Sequence, residues 1–285
     1  MKMDTTCYPC LVRNALDVAR LATNDENAQR IILQKAMAFM AKVDPLDPPP
    51  LVASQIQSIV TQVTGVIDPY ARLKEKYNNI ALSLYPDLVR LKKKADPGRR
   101  FELGVRMAIA GNIIDFGISS KVGKDKLLST IDHALNTLVR GSVRAFKNAV
   151  DKADHILWLG DNAGEIVFDK LLLEEMDMSK VTFAVRGGPV QNDAVMEDAK
   201  VAGLTDMVHV IDSGSVVPGT LIDRCSASFQ DIYNRADMII AKGQGNFETL
   251  NHEDSRIFFL FKAKCPVVVR HADCELGDVV IWNCS

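Results

Sequence analysis

The sequence predicts an α/β protein in which a helical N-terminal region precedes a doubly wound, mostly parallel sheet. Two observations predict it. From about residue 10 to 150, apolar residues recur at three-to-four spacing. After residue 150 they fall into short runs closed by polar or glycine-rich loops, with helix-like segments between most of them, which is the pattern of βαβ units. The expected division is a helical domain over 1–150 and an α/β domain over 151–285.

Within 10–42, Leu11, Ala15, Val18, Ala19 and Ala22, then Ile31, Ile32, Ala36, Phe39 and Met40, lie at helical spacing. The break near Thr23 and Asn24 offers either residue as the cap of a second helix. Residues 44–50 must interrupt helix, because the prolines remove backbone donors and push their predecessors out of the α region. Further helices are expected at about 51–64, 69–93, 98–113, 124–129 and 131–151, with no strand before residue 150. Strands are expected at 155–159, 181–185, 207–211, 238–241, 267–269 and 279–282. In such sheets ligands bind beyond the carboxyl ends of the strands.

With 47% hydrophobic and 25% charged residues, the 285-residue chain has the apolar content of a packed globular protein. A net charge of -2 lacks the basic excess that nucleic acid binding requires. No run of about 18 apolar residues suggests a membrane span, and the N-terminal residues do not resemble an export signal, so a cytoplasmic protein is expected. Its six cysteines are then expected to be reduced.

The loop Gly160-Asp161-Asn162-Ala163-Gly164-Glu165 follows an expected strand and opens a helix. Its two glycines and helix N-terminus suit a phosphate, and its three oxygen-bearing side chains suit a hard cation. The plain alternative is that Asp161 or Asn162 caps the helix. The next loop, 186–193, ends in Asp193 at the mouth of an expected helix over 194–202, where a cap is again the alternative. If the two strands are neighbours, Asp161, Asn162 and Asp193 converge on one cation and leave positions for water and a phosphate oxygen.

The loops 212–219 and 242–248 are glycine-rich but lack a P-loop, and Lys242, Lys262 or Lys264 offers a cation for phosphate. Asn112 and Asp115 share a helix face in an apolar stretch and therefore need partners. Cys7 and Cys10 have redox or metal-ligand spacing, with His271 or Cys274 as further zinc ligands in the second case. No Gly-x-Ser-x-Gly elbow supports a serine hydrolase.

The ordered motifs Gly111–Asp115, Gly160–Glu165, Arg186–Asp193, Lys242–Glu248 and Phe261–Pro266, with the N-terminal Cys7 and Cys10, resemble the damage-control metal phosphatase family, long called domain of unknown function 89. The resemblance spans nearly the whole chain. It implies a helical region joined to a Rossmann-like domain, and hydrolysis of small phosphorylated metabolites with Mg²⁺, Mn²⁺, Co²⁺ or Ni²⁺. Sugar phosphates and phosphopantetheine-like phosphomonoesters are the implied substrates, in metabolite damage control. The metal ligands fall on Asp161, Asn162 and Asp193, the substrate loop on Gln244, Gly245, Asn246, Phe247 and Glu248, and the phosphate-binding lysine on Lys264. Gln244-Gly245 and Glu248 stand where the sugar-phosphate branch has Asp-Leu and Arg.

On this reading Asp161 and Lys264 act on the phosphoryl group, while Asn112, Asp115 and Glu165 orient water or the ligands. Two rivals use the same loops. A methyltransferase would need an acidic ribose-binding residue where the chain has Arg186, and a non-catalytic sensor of metal or phosphometabolite would bind without turnover. A homo-oligomer would form through the helical surface 51–93, although no apolar stripe demands one.

Overall fold

The computed structural model describes residues 1–111, 135, 137–251 and 254–284. Five helices come first: α1 (Cys7–Ala22), α2 (Glu26–Met40), α3 (Pro49–Thr64), α4 (Ala71–Lys94) and α5 (Pro97–Ala110). The cap of α2 is Asp25, not Thr23 or Asn24, and its carboxylate accepts the Asn27 amide at 2.9 Å. Prolines at the starts of α3 and α5 lose no helical hydrogen bond, because the first-turn N–H groups have no intrahelical acceptor.

Then come β1 (Val139–Arg140), α6 (Val143–Lys152), β2 (Ile156–Leu159), α7 (Glu165–Leu173), β3 (Val181–Val185), α8 (Met196–Val201) and β4 (His209–Asp212). The chain continues through α9 (Ala227–Arg235), β5 (Met238–Lys242), α10 (Gly243–Leu250), β6 (Ile257–Lys262), α11 (Pro266–Ala272) and β7 (Val279–Asn283). They build one seven-stranded sheet in the order β1-β7-β6-β5-β2-β3-β4. All neighbours are parallel except β6 and β7. The mixed α/β class and mostly parallel sheet are as the sequence predicts.

Three elements differ from expectation. Residues 267–269 are helical, because Pro266 supplies a preset first-turn φ and a run of three valines is too short to show a period. The strand they were expected to form is instead β6, whose Phe258–Phe261 run pairs with β5 on one side and β7 on the other. Within the helical half, Val139 and Arg140 pair with Val279 and Val280 at the sheet edge, so 131–151 is not one helix.

Alternation along the strands divides the interior into two layers. Ile156, Trp158, Phe183 and Ile240 face a core built with α4, α5 and α7, while Leu157, Leu159, Ile239 and Phe259 face one built with α9, α10 and α11. Residues on both sides of position 150 share the first core, so the change of pattern there marks a change of secondary structure and not a gap in packing. Helices α1, α2 and α3 enclose a smaller core that Val267 of α11 joins. Among the described residues no helix is long and apolar enough to cross a membrane, and all six cysteines are free thiols.

Candidate active site

The chain enters the middle of the sheet at β2, proceeds to β3 and β4 on one side, then crosses back to β5 on the other. The carboxyl ends of β2 and β5 therefore flank a switch point, the place where such sheets bind ligands. Asp161 and Asn162 follow β2, Asp193 lies in the connection after β3, and Lys242-Gly243 closes β5.

Backbone bonds join the first two connections. Asn162 and Asp193 form an isolated antiparallel bridge. The Ala163 amide donates to the Asn192 carbonyl at 2.9 Å and the Ala194 amide to the Asp161 carbonyl at 2.8 Å. Neither acid is a helix cap. The N-cap of α7 is Gly164 and that of α8 is Val195, so the capping alternative fails for Asp161, Asn162 and Asp193 alike.

All three side chains are buried. Asn162 Nδ2 donates to Asp161 Oδ2 at 2.7 Å and to Glu165 Oε2 at 3.1 Å. Arg186 Nε donates to Asp193 Oδ2 at 2.7 Å, and the same guanidinium reaches Thr220 Oγ1 at 3.3 Å and the Gly160 carbonyl at 3.3 Å. Burial pushes the Asp161 carboxyl well above the usual carboxylate range, and Glu165 and Asp193 push it further against the pull of Arg186 and Lys264. Burial likewise raises Asp193, opposed chiefly by Arg186.

The residues present fit a hard divalent cation. The candidate donors are all oxygen, and the buried carboxyls of Asp161 and Asp193, with Glu165 beside them, face buried Arg186, with Lys264 nearby. Added positive charge would relieve the mutual repulsion that raises Asp161. Among the described residues no three His, Cys, Asp or Glu side chains stand together as a metal site, so a cation held here would need the Asn162 amide oxygen as a further donor.

The expected substrate-loop residues divide. Gln244, Gly245 and Glu248 line a cavity of about 430 Å³ together with Gln191, Lys264 and Cys10, a size that suits a small organic ligand. The Lys264 backbone amide donates to Gln244 Oε1. Asn246 and Phe247 point elsewhere. Asn246 Nδ2 donates to the Lys242 carbonyl at 2.7 Å and its Oδ1 accepts from Thr220 at 2.8 Å. Phe247 is fully buried, with its ring 5.2 Å from that of Phe259 and 5.0 Å from that of Phe261. Both hold α10 in place and neither side chain reaches the cavity.

Of the lysines expected to meet phosphate, Lys242 is fully buried among carboxylates and Lys262 pairs within the sheet opposite Val279. Cys7 and Cys10 line the cavity beside Cys265, whereas Cys274 packs in the core below α11 and His271 Nδ1 lies 2.9 Å from the Val267 carbonyl. Asn112 and Asp115 lie outside the described residues.

A family model described as the damage-control phosphatase ARMT1-like domain matches residues 3–280. The chain belongs to this family. The damage-control phosphatase PH1575 of Pyrococcus horikoshii is 35% identical over 295 residues, covering 98% of this chain and 97% of that protein. A damage-control phosphatase of Archaeoglobus fulgidus is 29% identical, covering 98% of each. The crystal structure of a DUF89 family protein (PH1575) from Pyrococcus horikoshii aligns with a TM-score of 0.91 and 34% identity over the whole of both chains. The damage-control phosphatase family thus accounts for the fold from end to end.

Two site residues escape a reading by motif. Arg186 looks like the start of a turn, yet it braces Asp193. Lys242 looks like a phosphate lysine, yet Glu165 and Asp169 hold it. A signal existed in each case, since a single charge directly ends an apolar strand run and must find a partner when buried.

Proposed function

We propose that this chain is a divalent-metal-dependent phosphatase acting on small phosphorylated metabolites in metabolite repair, with Asp161, Asn162 and Asp193 as the metal ligands. The observation that carries the reading is the Asn162–Asp193 backbone bridge, which sets two carboxylates and an amide side by side at the sheet's switch point. The names of the archaeal relatives support a phosphatase.

Asp161, Asn162 and Asp193 would hold a Mg²⁺ or Mn²⁺ ion, which would supply positive charge to polarise the phosphoryl oxygens. The protein's own groups do the rest. Lys264, at the rim of the cavity, balances the remaining negative charge of the ester, and Gln244 fixes the backbone that carries Lys264. Arg186 opposes the upward push of burial on the Asp193 carboxyl and aims it through their 2.7 Å ion pair. The cavity lined by Gln244, Gly245 and Glu248 receives the organic part of the ester and sets its orientation.

The test is hydrolysis of p-nitrophenyl phosphate by EDTA-stripped protein, with Mg²⁺, Mn²⁺, Co²⁺ or Ni²⁺ added back singly. Metal should restore turnover in the wild type but not in folded Asp161→Asn or Asp193→Asn proteins. Metal binding with no turnover of that ester or of a sugar-phosphate panel would favour a sensor instead.

A further inference from the structure

The Lys242 side chain is fully buried, and its ammonium group meets three acceptors. Nζ donates to Glu165 Oε1 at 2.7 Å, Asp169 Oδ1 at 2.5 Å and the Ala108 carbonyl at 2.9 Å. An ammonium has three protons, so this arrangement uses them all and leaves none for a phosphate. Glu165 and Asp169 are one turn apart on α7, and Ala108 lies in the last turn of α5. Lys242 thus pins the end of β5 to both helices.

Glu165 extends the chain of contacts. With Oε1 on Lys242, its Oε2 accepts from Asn162 Nδ2, and Asp161 Oδ2 accepts from the same nitrogen. A carboxylamide has a donor end and an acceptor end related by a half-turn. Two carboxylate oxygens at the nitrogen end fix which way it faces, because the reversed amide would set oxygen against oxygen.

Resting on the metal-dependent reading above, we infer that Lys242 is a positioning residue for the metal site. It clamps Glu165, and Glu165 holds the Asn162 amide so that its oxygen is the atom offered to the cation. Metal sites commonly depend on such partners, and losing one typically weakens metal affinity by about 10–100-fold. Asp169 provides the control, because it shares the Lys242 ammonium but touches neither Glu165 Oε2 nor Asn162 in any hydrogen bond described above.

The experiment is calorimetric titration of Mn²⁺ into EDTA-stripped full-length protein, with thermal melting of each metal-free variant. Lys242→Met and Glu165→Gln should each weaken Mn²⁺ binding by about 10–100-fold, in keeping with other metal-ligand partners. Asp169→Asn should melt earlier yet keep the wild-type affinity. Should Lys242→Met not fold, Glu165→Gln decides, since it preserves volume while removing both the charge that Lys242 clamps and an acceptor facing Asn162 Nδ2. Wild-type affinity in folded Glu165→Gln, with binding lost in Asp161→Asn, would overturn the clamp and leave the metal reading standing. An equal loss in Asp169→Asn and Glu165→Gln would also overturn it, by showing a general effect of loosening the core. A wild-type protein that binds no Mn²⁺ would overturn both.

Discussion

Gly243 presses against the Asp161 carboxylate so closely that a methyl group built on its Cα would stand 1.9 Å from Oδ2. Its φ of +76° is also in the left-handed region that side chains rarely adopt. The absence of a side chain here is what lets the start of α10 approach the candidate ligands. Gly243→Ala should displace Asp161 and lower turnover by about 100-fold, the usual effect of a misplacement near 1 Å. Its stability should fall by roughly 1–2 kcal/mol from the backbone alone. Kinetics on p-nitrophenyl phosphate and a urea melt measure the two losses. Unchanged turnover would remove Asp161 from the proposed chemistry.

The Arg186–Asp193 pair is buried on both sides. Removing one partner leaves the other charge uncompensated in a poorly solvated place, at a cost of about 3–5 kcal/mol. Arg186→Met is therefore expected to be among the most destabilising single changes in the site, and Asp193→Asn, which keeps an acceptor for the guanidinium, to be milder. Denaturant unfolding of the two metal-free variants checks the order. Arg186→Met unfolding at the wild-type midpoint would mean that water reaches Asp193.

Phe247 sits in the motif of a substrate loop but packs as a core residue. Phe247→Ala should cost about 3–5 kcal/mol, as large aromatic truncations do. The protein that remains folded should keep its KM. Gln244→Ala, which opens the cavity rim and frees the Lys264 backbone, should raise KM with a smaller loss of stability. Steady-state kinetics and thermal melts on both variants separate the two roles, and a raised KM in folded Phe247→Ala alone would return that ring to the substrate.

Burial pushes the Glu248 carboxyl up to about 7, with the N-terminal amine and the Gln244 side chain pulling the other way. Below pH 4.5 the group is protonated whether the chain is folded or not. Between there and about pH 7 the unfolded chain releases its proton while the folded one keeps it, so this residue's contribution to stability is lost as pH rises. Glu248→Gln should therefore raise the Tm relative to wild type more at pH 8 than at pH 5. An identical Tm difference at both pH values would show that the carboxyl ionises freely in the folded protein.

The sequence foretells the meeting of the Asp161–Asn162 and Asp193 loops better than it foretells the sheet around them. Asp161, Asn162 and Asp193 stand out because oxygen-bearing side chains gather in two loops that follow apolar runs, and neighbouring parallel strands bring such loops together. β6 stays hidden because the run Ile257–Phe261 is apolar throughout and therefore carries no period of two, while Val267–Val269 has the composition of a strand and becomes helix through Pro266. The roles of Lys242 and Arg186 depend on partners 73 and 7 residues away for their closest contacts. A local motif registers their charge but not what neutralises it. Phe247 is misread for the opposite reason, since its motif suggests exposure while only the register of β6 and β7 shows the ring enclosed.

The bridge between Asn162 and Asp193 is made by main-chain atoms, and that separates the spacing of the proposed ligands from their identity. On the proposed reading, a change of side chain at 161, 162 or 193 would alter the donors, while the main-chain bonds from Ala163 to Asn192 and from Ala194 to Asp161 would still join the two loops. Donors could then be exchanged one at a time on a frame that the side chains themselves do not build.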